Sequence, residues 1–364
     1  MKLGIIGLPN VGKSTLFNAL TGGHAPASNY PFCTIDQNVG VAIVPDERLK
    51  KLGEILRPPK LTPTHIDFVD IAGLVKGASH GEGLGNQFLS HIRNVDAIVH
   101  VVRCFEDQNV AHVDATINPL RDIEVVETEL MLADLEMVER RLSKMQKLSR
   151  AGTAEAEKEG ELLGRIKETL EGGKAAQSLS LKQSDLEHIT DTPLLTIKPQ
   201  LYVANIDEQA ITDGNDYSRA VAEHAAAVHS EVVNVSSKLE SELTDLSPEE
   251  AKEFLLSYSV TESSLAKVIK VGYRLLDLIT FYTIAGENEV RAWTLSRGQK
   301  APTAAGKVHS DMEKGFIKAE VIKFEDLEKY GSEHAAREHG HWAVEGKDYV
   351  VQDGDVLTVK FHTG

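Results

Sequence analysis

An α/β fold is predicted for most of the chain: a P-loop domain built on a mainly parallel sheet, interrupted by a helical hairpin and followed by a small β-grasp domain. Three observations predict it. Val/Ile-rich runs at residues 3–6, 39–44, 65–69, 97–102, 201–204 and 232–235 alternate with helical segments, the rhythm of strands joined by crossover helices. The first run leads straight into Gly7-Leu-Pro-Asn-Val-Gly12-Lys13-Ser14 and then into a helical stretch. The texture then changes twice, near residue 118 and again after residue 276.

The first change is to long charged helices. Within residues 122–150 the apolar positions Val125, Leu132, Leu135, Val138 and Leu142 recur at steps of three or four, apart from one doubled interval, so they form a seam along one face. Residues 154–170 are predicted to return antiparallel, with Ala151 and Gly152 in the turn. The alternative is that these helices simply pack on the sheet. After the second change, residues 281–285 and 290–294 read as paired strands, 302–309 as a short helix, and 317–324 and 356–361 as further strands. A mixed sheet with a helix across it follows. The expected domains are therefore 1–117 with 191–277 (P-loop domain), 118–190 (inserted hairpin) and 278–364 (β-grasp).

Composition narrows the function classes. With 41% hydrophobic and 26% charged residues the 364-residue chain is an ordinary globular one, long enough for two or three domains. A formal charge of -16 opposes generic adhesion to polyanions, so any RNA contact must be local. The two cysteines, Cys33 and Cys104, make no disulfide framework and suit a reducing compartment. The chain opens on a strand rather than a leader, and no stretch approaches the ~20 apolar residues of a membrane helix. A cytoplasmic protein with no membrane partner is expected.

The chemistry concentrates in four places. In the P-loop, glycines let successive backbone N–H groups turn toward phosphates at a helix N-terminus; Lys13 is placed to reach the β- and γ-phosphates and Ser14 to ligate Mg²⁺. Asp70-Ile-Ala-Gly73 follows a strand, which gives Asp70 the Walker-B role toward the metal and Gly73 an N–H for the γ-phosphate. Thr34, in the polar segment between the first helix and the next strand, can add its hydroxyl to Mg²⁺ when that loop orders, or be a solvated threonine. At the base end, Asn205-Ile206-Asp207-Glu208 stands where a GTPase carries Asn-Lys-x-Asp. The Lys is missing and the carboxylate is one methylene longer, which misplaces the acceptor for the two guanine donors; Asn205 and the backbone near Ile206 are left to read adenine. Ser236-Ser237-Lys238 is expected to form the facing wall.

These residues resemble the YchF/Obg-like ATPase family: the Asn-Val-Gly-Lys-Ser loop, the run 70–79, Asn205-x-x-Glu208 and the terminal β-grasp all match, over essentially the whole chain. The resemblance implies a G domain with a helical insertion and a C-terminal TGS domain, Mg²⁺ dependence, preference for ATP over GTP, and association with ribosomes in translation or stress control. It places nucleotide contacts on Asn10, Val11, Gly12, Lys13, Ser14, Thr15, Asn205 and Ile206, and metal contacts on Ser14 and Thr34. Leu74 stands where many GTPases carry a water-orienting glutamine, and the family links a histidine after the fourth strand to catalysis; His112 matches it, with His80 as a rival. Arg140, Lys144 and Lys147, joined by Arg141 and Arg150, offer a basic helical face for rRNA or stand as a solvated surface. The rival overall reading is a GTP-specific translation GTPase, which shares every phosphate contact.

Overall fold

The computed structural model describes residues 1–22, 39–71, 84–110, 116–148, 154–285 and 288–362. Its strands are β1 (Lys2–Ile6), β2 (Val39–Ile43), β3 (Lys60–Thr62), β4 (His65–Asp70), β5 (Ala97–Cys104), β6 (Gln200–Ile206), β7 (Glu231–Val235), β8 (Leu278–Ala285), β9 (Glu289–Ser296), β10 (Phe316–Lys323), β11 (Ala343–Glu345) and β12 (Asp355–Phe361). They form two six-stranded sheets, ordered β2-β4-β1-β5-β6-β7 and β11-β10-β12-β8-β9-β3.

In the first sheet β4, β1, β5, β6 and β7 pair in parallel. Their carboxyl ends therefore share one edge, the edge at which open α/β sheets bind ligands. Strand β5 is buried along its whole length, as its continuous apolar run requires of a central parallel strand. The second sheet is mixed: β8 with β9 and β10 with β12 are antiparallel, and β12 with β8 is parallel. The helix Ala301–Val308 lies on this sheet through Ala301, Ala304 and Ala305, small residues that pack against Ile279, Phe281 and Phe316. A helix across a mixed sheet is the arrangement expected for the C-terminal segment.

The long helix Pro119–Leu148 does both things expected of it as alternatives. Near its start, Ile123 is buried with Val102, Tyr202 and Val221 on the sheet. Farther along, Val138 is buried with Leu162, Leu163 and Ile166 of the returning helix Ala154–Glu171, and Met131 and Met145 pack beside them. Asp134, fully buried between these halves, accepts from the Leu195 and Thr196 backbone N–H groups at 2.8 and 2.7 Å and fixes where the chain re-enters the sheet.

The expected domain boundaries need correction. The chain forms two compact units, Met1–Val41 with Asp67–Val268 and Ala42–Ile66 with Ile269–Gly364. The hairpin thus clusters with the first unit, and residues 42–66, expected in the P-loop domain, cluster with the C-terminal unit although the ends of β2 and β4 within them pair in the first sheet. The reason is packing that no local pattern announces. Strand β3 adds in parallel to β9 (Leu61↔Val290), and Leu49 and Leu52 of the helix Glu47–Leu56 are buried with Tyr282, Val290 and Phe324. Asp46 caps that helix and accepts from the Tyr282 hydroxyl at 2.5 Å, while Arg48 forks onto Asp353 at 2.9 and 3.2 Å.

Candidate functional site

The loop after β1 has the backbone its sequence demands. Gly7 has φ 149°, and a Cβ there would sit 2.4 Å from the Val101 carbonyl oxygen; Gly12 has φ 97°, and a Cβ there would meet the Asn205 amide at 2.2 Å. Only glycine fits either position. Asn10 is left-handed at φ 62°, a conformation asparagine tolerates better than most residues. The helix Lys13–Gly22 then begins, with Leu16 buried beneath it.

Lys13 is buried and its ammonium donates to the Leu8 carbonyl at 2.7 Å, folded across the loop it closes. Burial lowers its pKa to about 8, against the opposing pull of Asp70. Ser14 Oγ donates to Asp70 Oδ2 at 3.1 Å, which brings together a hydroxyl from the helix start and a carboxylate from the end of β4, 56 residues later. Two hard oxygen donors side by side next to a phosphate-type loop suit Mg²⁺, which binds one or two protein oxygens and keeps the rest of its shell for water and phosphate. Among the described residues no cluster of three or more His, Cys, Asp or Glu side chains could hold a metal alone.

A cavity of about 910 Å³ opens beside this loop, reached by Asn10, Gly12 and Thr15 on one side and by the loops after β5, β6 and β7 on the others. Asn205 and Ile206 end β6 in its wall, and Ser236, Ser237 and Lys238 line it. Asn205, expected to read the base, also has a structural part. Its Nδ2 donates to the Val11 carbonyl at 2.8 Å and its Oδ1 accepts from the Ser237 N–H at 3.0 Å, so the amide clamps the P-loop to the loop after β7. Ser236 is likewise engaged, its hydroxyl capping the helix Ser237–Leu243. Glu208 pairs with Lys238 at 2.6 Å, and the ammonium is held above its ordinary pKa by that bond.

The sequence reading missed the wall contributed by the loop after β5, where Phe105, Glu106, Asp107 and Val110 line the cavity. No motif marks them; the available signal was that β5 lies between β1 and β6, so its carboxyl end must open on the same crevice. Burial, and then the charges of Glu106, Glu208 and Asp107, hold the Asp207 carboxyl above its usual range. Thr34, Gly73, Leu74, His80 and His112 lie outside the described residues. The basic face of the arm is partly consumed: Arg141 pairs with Glu159 at 2.6 Å and Arg140 with Glu136 at 2.5 Å, while the side chains of Lys147 and Arg150 are outside the described set. Among the described residues no helix is long and apolar enough to cross a membrane.

Known proteins match this chain along its length. The 50S ribosome-binding GTPase family model matches residues 2–133, and the YchF-GTPase_C model, described as a protein of unknown function (DUF933), matches residues 278–362. The ribosome-binding ATPase YchF of Bacillus subtilis is 51% identical over 361 residues, covering 99% of this chain and 98% of that protein. Its counterpart in Haemophilus influenzae is 50% identical and covers 99% of both. The solved structure of the Schizosaccharomyces pombe YchF GTPase superposes with a TM-score of 0.89 at 38% identity, covering 99% of this chain and 97% of that one. Full-length identity at this level, on a fold that also superposes, places the chain in the YchF family.

Proposed function

We propose that this chain is a Mg²⁺-dependent P-loop nucleoside triphosphatase that prefers ATP to GTP and works as a nucleotide-controlled switch on the ribosome, in translation or its control under stress, in the cytoplasm. The observation that carries the nucleotide choice is the Glu208–Lys238 pair. A guanine reader needs a carboxylate free to accept two N–H donors, and here the carboxylate is already committed to an ammonium. Adenine presents an acceptor at N1 and an amine that backbone carbonyls around Ile206 can meet.

Lys13 would leave the Leu8 carbonyl for the phosphates, and Ser14 and Asp70 would hold Mg²⁺, with Thr34 as a further ligand. When bound, the ion neutralises charge on the β- and γ-phosphate oxygens. Gly73 is assigned to the γ-phosphate and His112 to orienting the attacking water, with His80 as the weaker candidate. The names of the Bacillus and Haemophilus relatives support ribosome binding and ATP hydrolysis, whereas the fission-yeast structure is titled a GTPase. The C-terminal unit, read as a TGS-type module, and local basic residues such as Lys144 are assigned to the ribosome or its RNA.

Calorimetric titration with ATP and GTP tests the reading directly. Tighter ATP binding is expected, with a shift toward GTP when Ile206→Lys and Glu208→Asp are combined. Equal or tighter GTP binding by the unmodified chain would return it to the GTP-specific class. Phosphate release in single turnover separates hydrolysis from binding alone, and His112→Ala is expected to slow it several-fold without weakening ATP.

A further inference from the structure

Arg103, near the end of β5, is the bulkiest of the fully buried side chains. Such a group is costly to bury unless its N–H donors are satisfied. Here the three acceptors are main-chain carbonyls of one loop: Nε donates to Phe105 at 3.2 Å, Nη2 to Asp107 at 3.2 Å and Nη1 to Val110 at 3.0 Å. The guanidinium carbon also lies 4.5 Å from the centre of the Phe105 ring. Residues 105–110 form no helix or strand, so these carbonyls lack ladder partners; the Asp107 carbonyl also accepts from the Val110 N–H at 3.3 Å, and the planar fork reaches all three. A lysine ammonium, a single donor centre, cannot span three carbonyls spread over six residues.

That loop is the cavity wall formed by Phe105, Glu106, Asp107 and Val110. Arg103 is also the register partner of Asn205, the residue that clamps the P-loop to the loop after β7. Adjacent strands thus end in two buried polar side chains that between them fix the walls around one cavity. Arg103 itself does not line it.

We infer that Arg103 is a positioning residue of the nucleotide site: by holding the 105–110 wall it sets affinity for the nucleoside part of the ligand without touching it, while the phosphate cradle, which it does not contact, is independent of it. This rests on reading the cavity as the nucleotide site.

The test uses the full-length chain and its Arg103→Met and Arg103→Lys variants, titrated in Mg²⁺ with ATP and, separately, with inorganic tripolyphosphate. Each variant is first checked for a cooperative melting transition above the assay temperature. Loss of the wall is expected to weaken ATP about tenfold or more in Arg103→Met, with a smaller loss in Arg103→Lys, and to leave tripolyphosphate within about twofold of wild type. Unchanged ATP affinity overturns the inference. So does an equal loss for both ligands, which is what general destabilisation produces, or failure of both variants to fold, which assigns Arg103 to the core alone. A wild-type chain that binds tripolyphosphate but no nucleoside triphosphate defeats the nucleotide reading, and the inference with it, before any variant is made.

Discussion

Strands β5 and β6 carry two polar pairs three residues apart, and the pairs do different work. At the carboxyl ends Arg103 stands beside Asn205; in the middle His100 stands beside Tyr202. The end pair bonds to main-chain groups of three loops, and neither side-chain type changes protonation at ordinary pH. In the middle pair Tyr202 bonds to titratable side chains of the flanking helices, and His100, itself titratable, bonds to Gln200 of β6. The Tyr202 hydroxyl donates to Glu127, Glu127 faces His224 at 3.3 Å, and Gln200 meets the His100 ring at 3.1 Å. Identical strand geometry thus yields a pH-indifferent clamp where a ligand cavity must keep its shape, and a pH-sensitive joint where helices pack on the sheet.

The largest effect expected is from Asn205→Ala. It orphans the Val11 carbonyl and the Ser237 N–H, each worth about 1–3 kcal/mol when buried without a partner. Both melting temperature and ATP affinity should fall, by the same amount at pH 5 and pH 8. ATP binding that survives the change within twofold would break the comparison at its pocket end.

His100 comes next. Burial lowers its pKa to about 4, so the folded protein keeps it neutral while the unfolded chain takes up a proton near pH 6.5. Stability should therefore fall as pH drops from 6.5 toward 4, by about 3 kcal/mol from this group. His224 acts on the other side of that window. Its bond to Glu127 raises its pKa, so its contribution is complete below about pH 6.5 and is lost as pH rises through the folded value. Urea unfolding across pH measures both; His100→Leu should flatten the acid limb while lowering stability at neutral pH, since Gln200 loses its partner.

Tyr202→Phe should be milder, at about 1–2 kcal/mol, and should leave ATP titrations unchanged. A loss of nucleotide affinity as large as that of Asn205→Ala would show that the two pairs are one network. The smallest effect belongs to the cavity mouth, where Lys238 is exposed. Lys238→Ala frees the Glu208 carboxylate, so stability should hold and GTP affinity should rise a few-fold relative to ATP; competition binding reads the ratio.

Local chemistry was legible wherever it is written in consecutive residues. The P-loop needs Gly7 and Gly12 for backbone angles and close approach, and both have the conformation the pattern requires. The periodicity at Val138 and Leu142 foretold the helical pair, and the strand runs foretold the sheet. Asp70 reads as a carboxylate carried at a strand end, and the structure brings it within 3.1 Å of Ser14.

Other features depend on groups far apart in the chain, and composition or period says nothing of them. Residues 42–66 read as a P-loop-domain stretch, yet Leu49, Leu52 and β3 find their apolar and hydrogen-bonding partners on the C-terminal sheet. Asn205 reads as a base contact, and nothing in its neighbours shows that its amide also bridges Val11 and Ser237, 194 and 32 residues away. The sequence by itself determined the glycine loop, the strand rhythm and the helical pair, because backbone angles and amphipathic period are properties of neighbouring residues. Only the tertiary structure decided that β3 and the helix Glu47–Leu56 pack with the C-terminal sheet, that Asn205 clamps, and that Arg103 supports a cavity wall, because a buried donor is satisfied by whatever acceptor the fold brings within hydrogen-bonding reach.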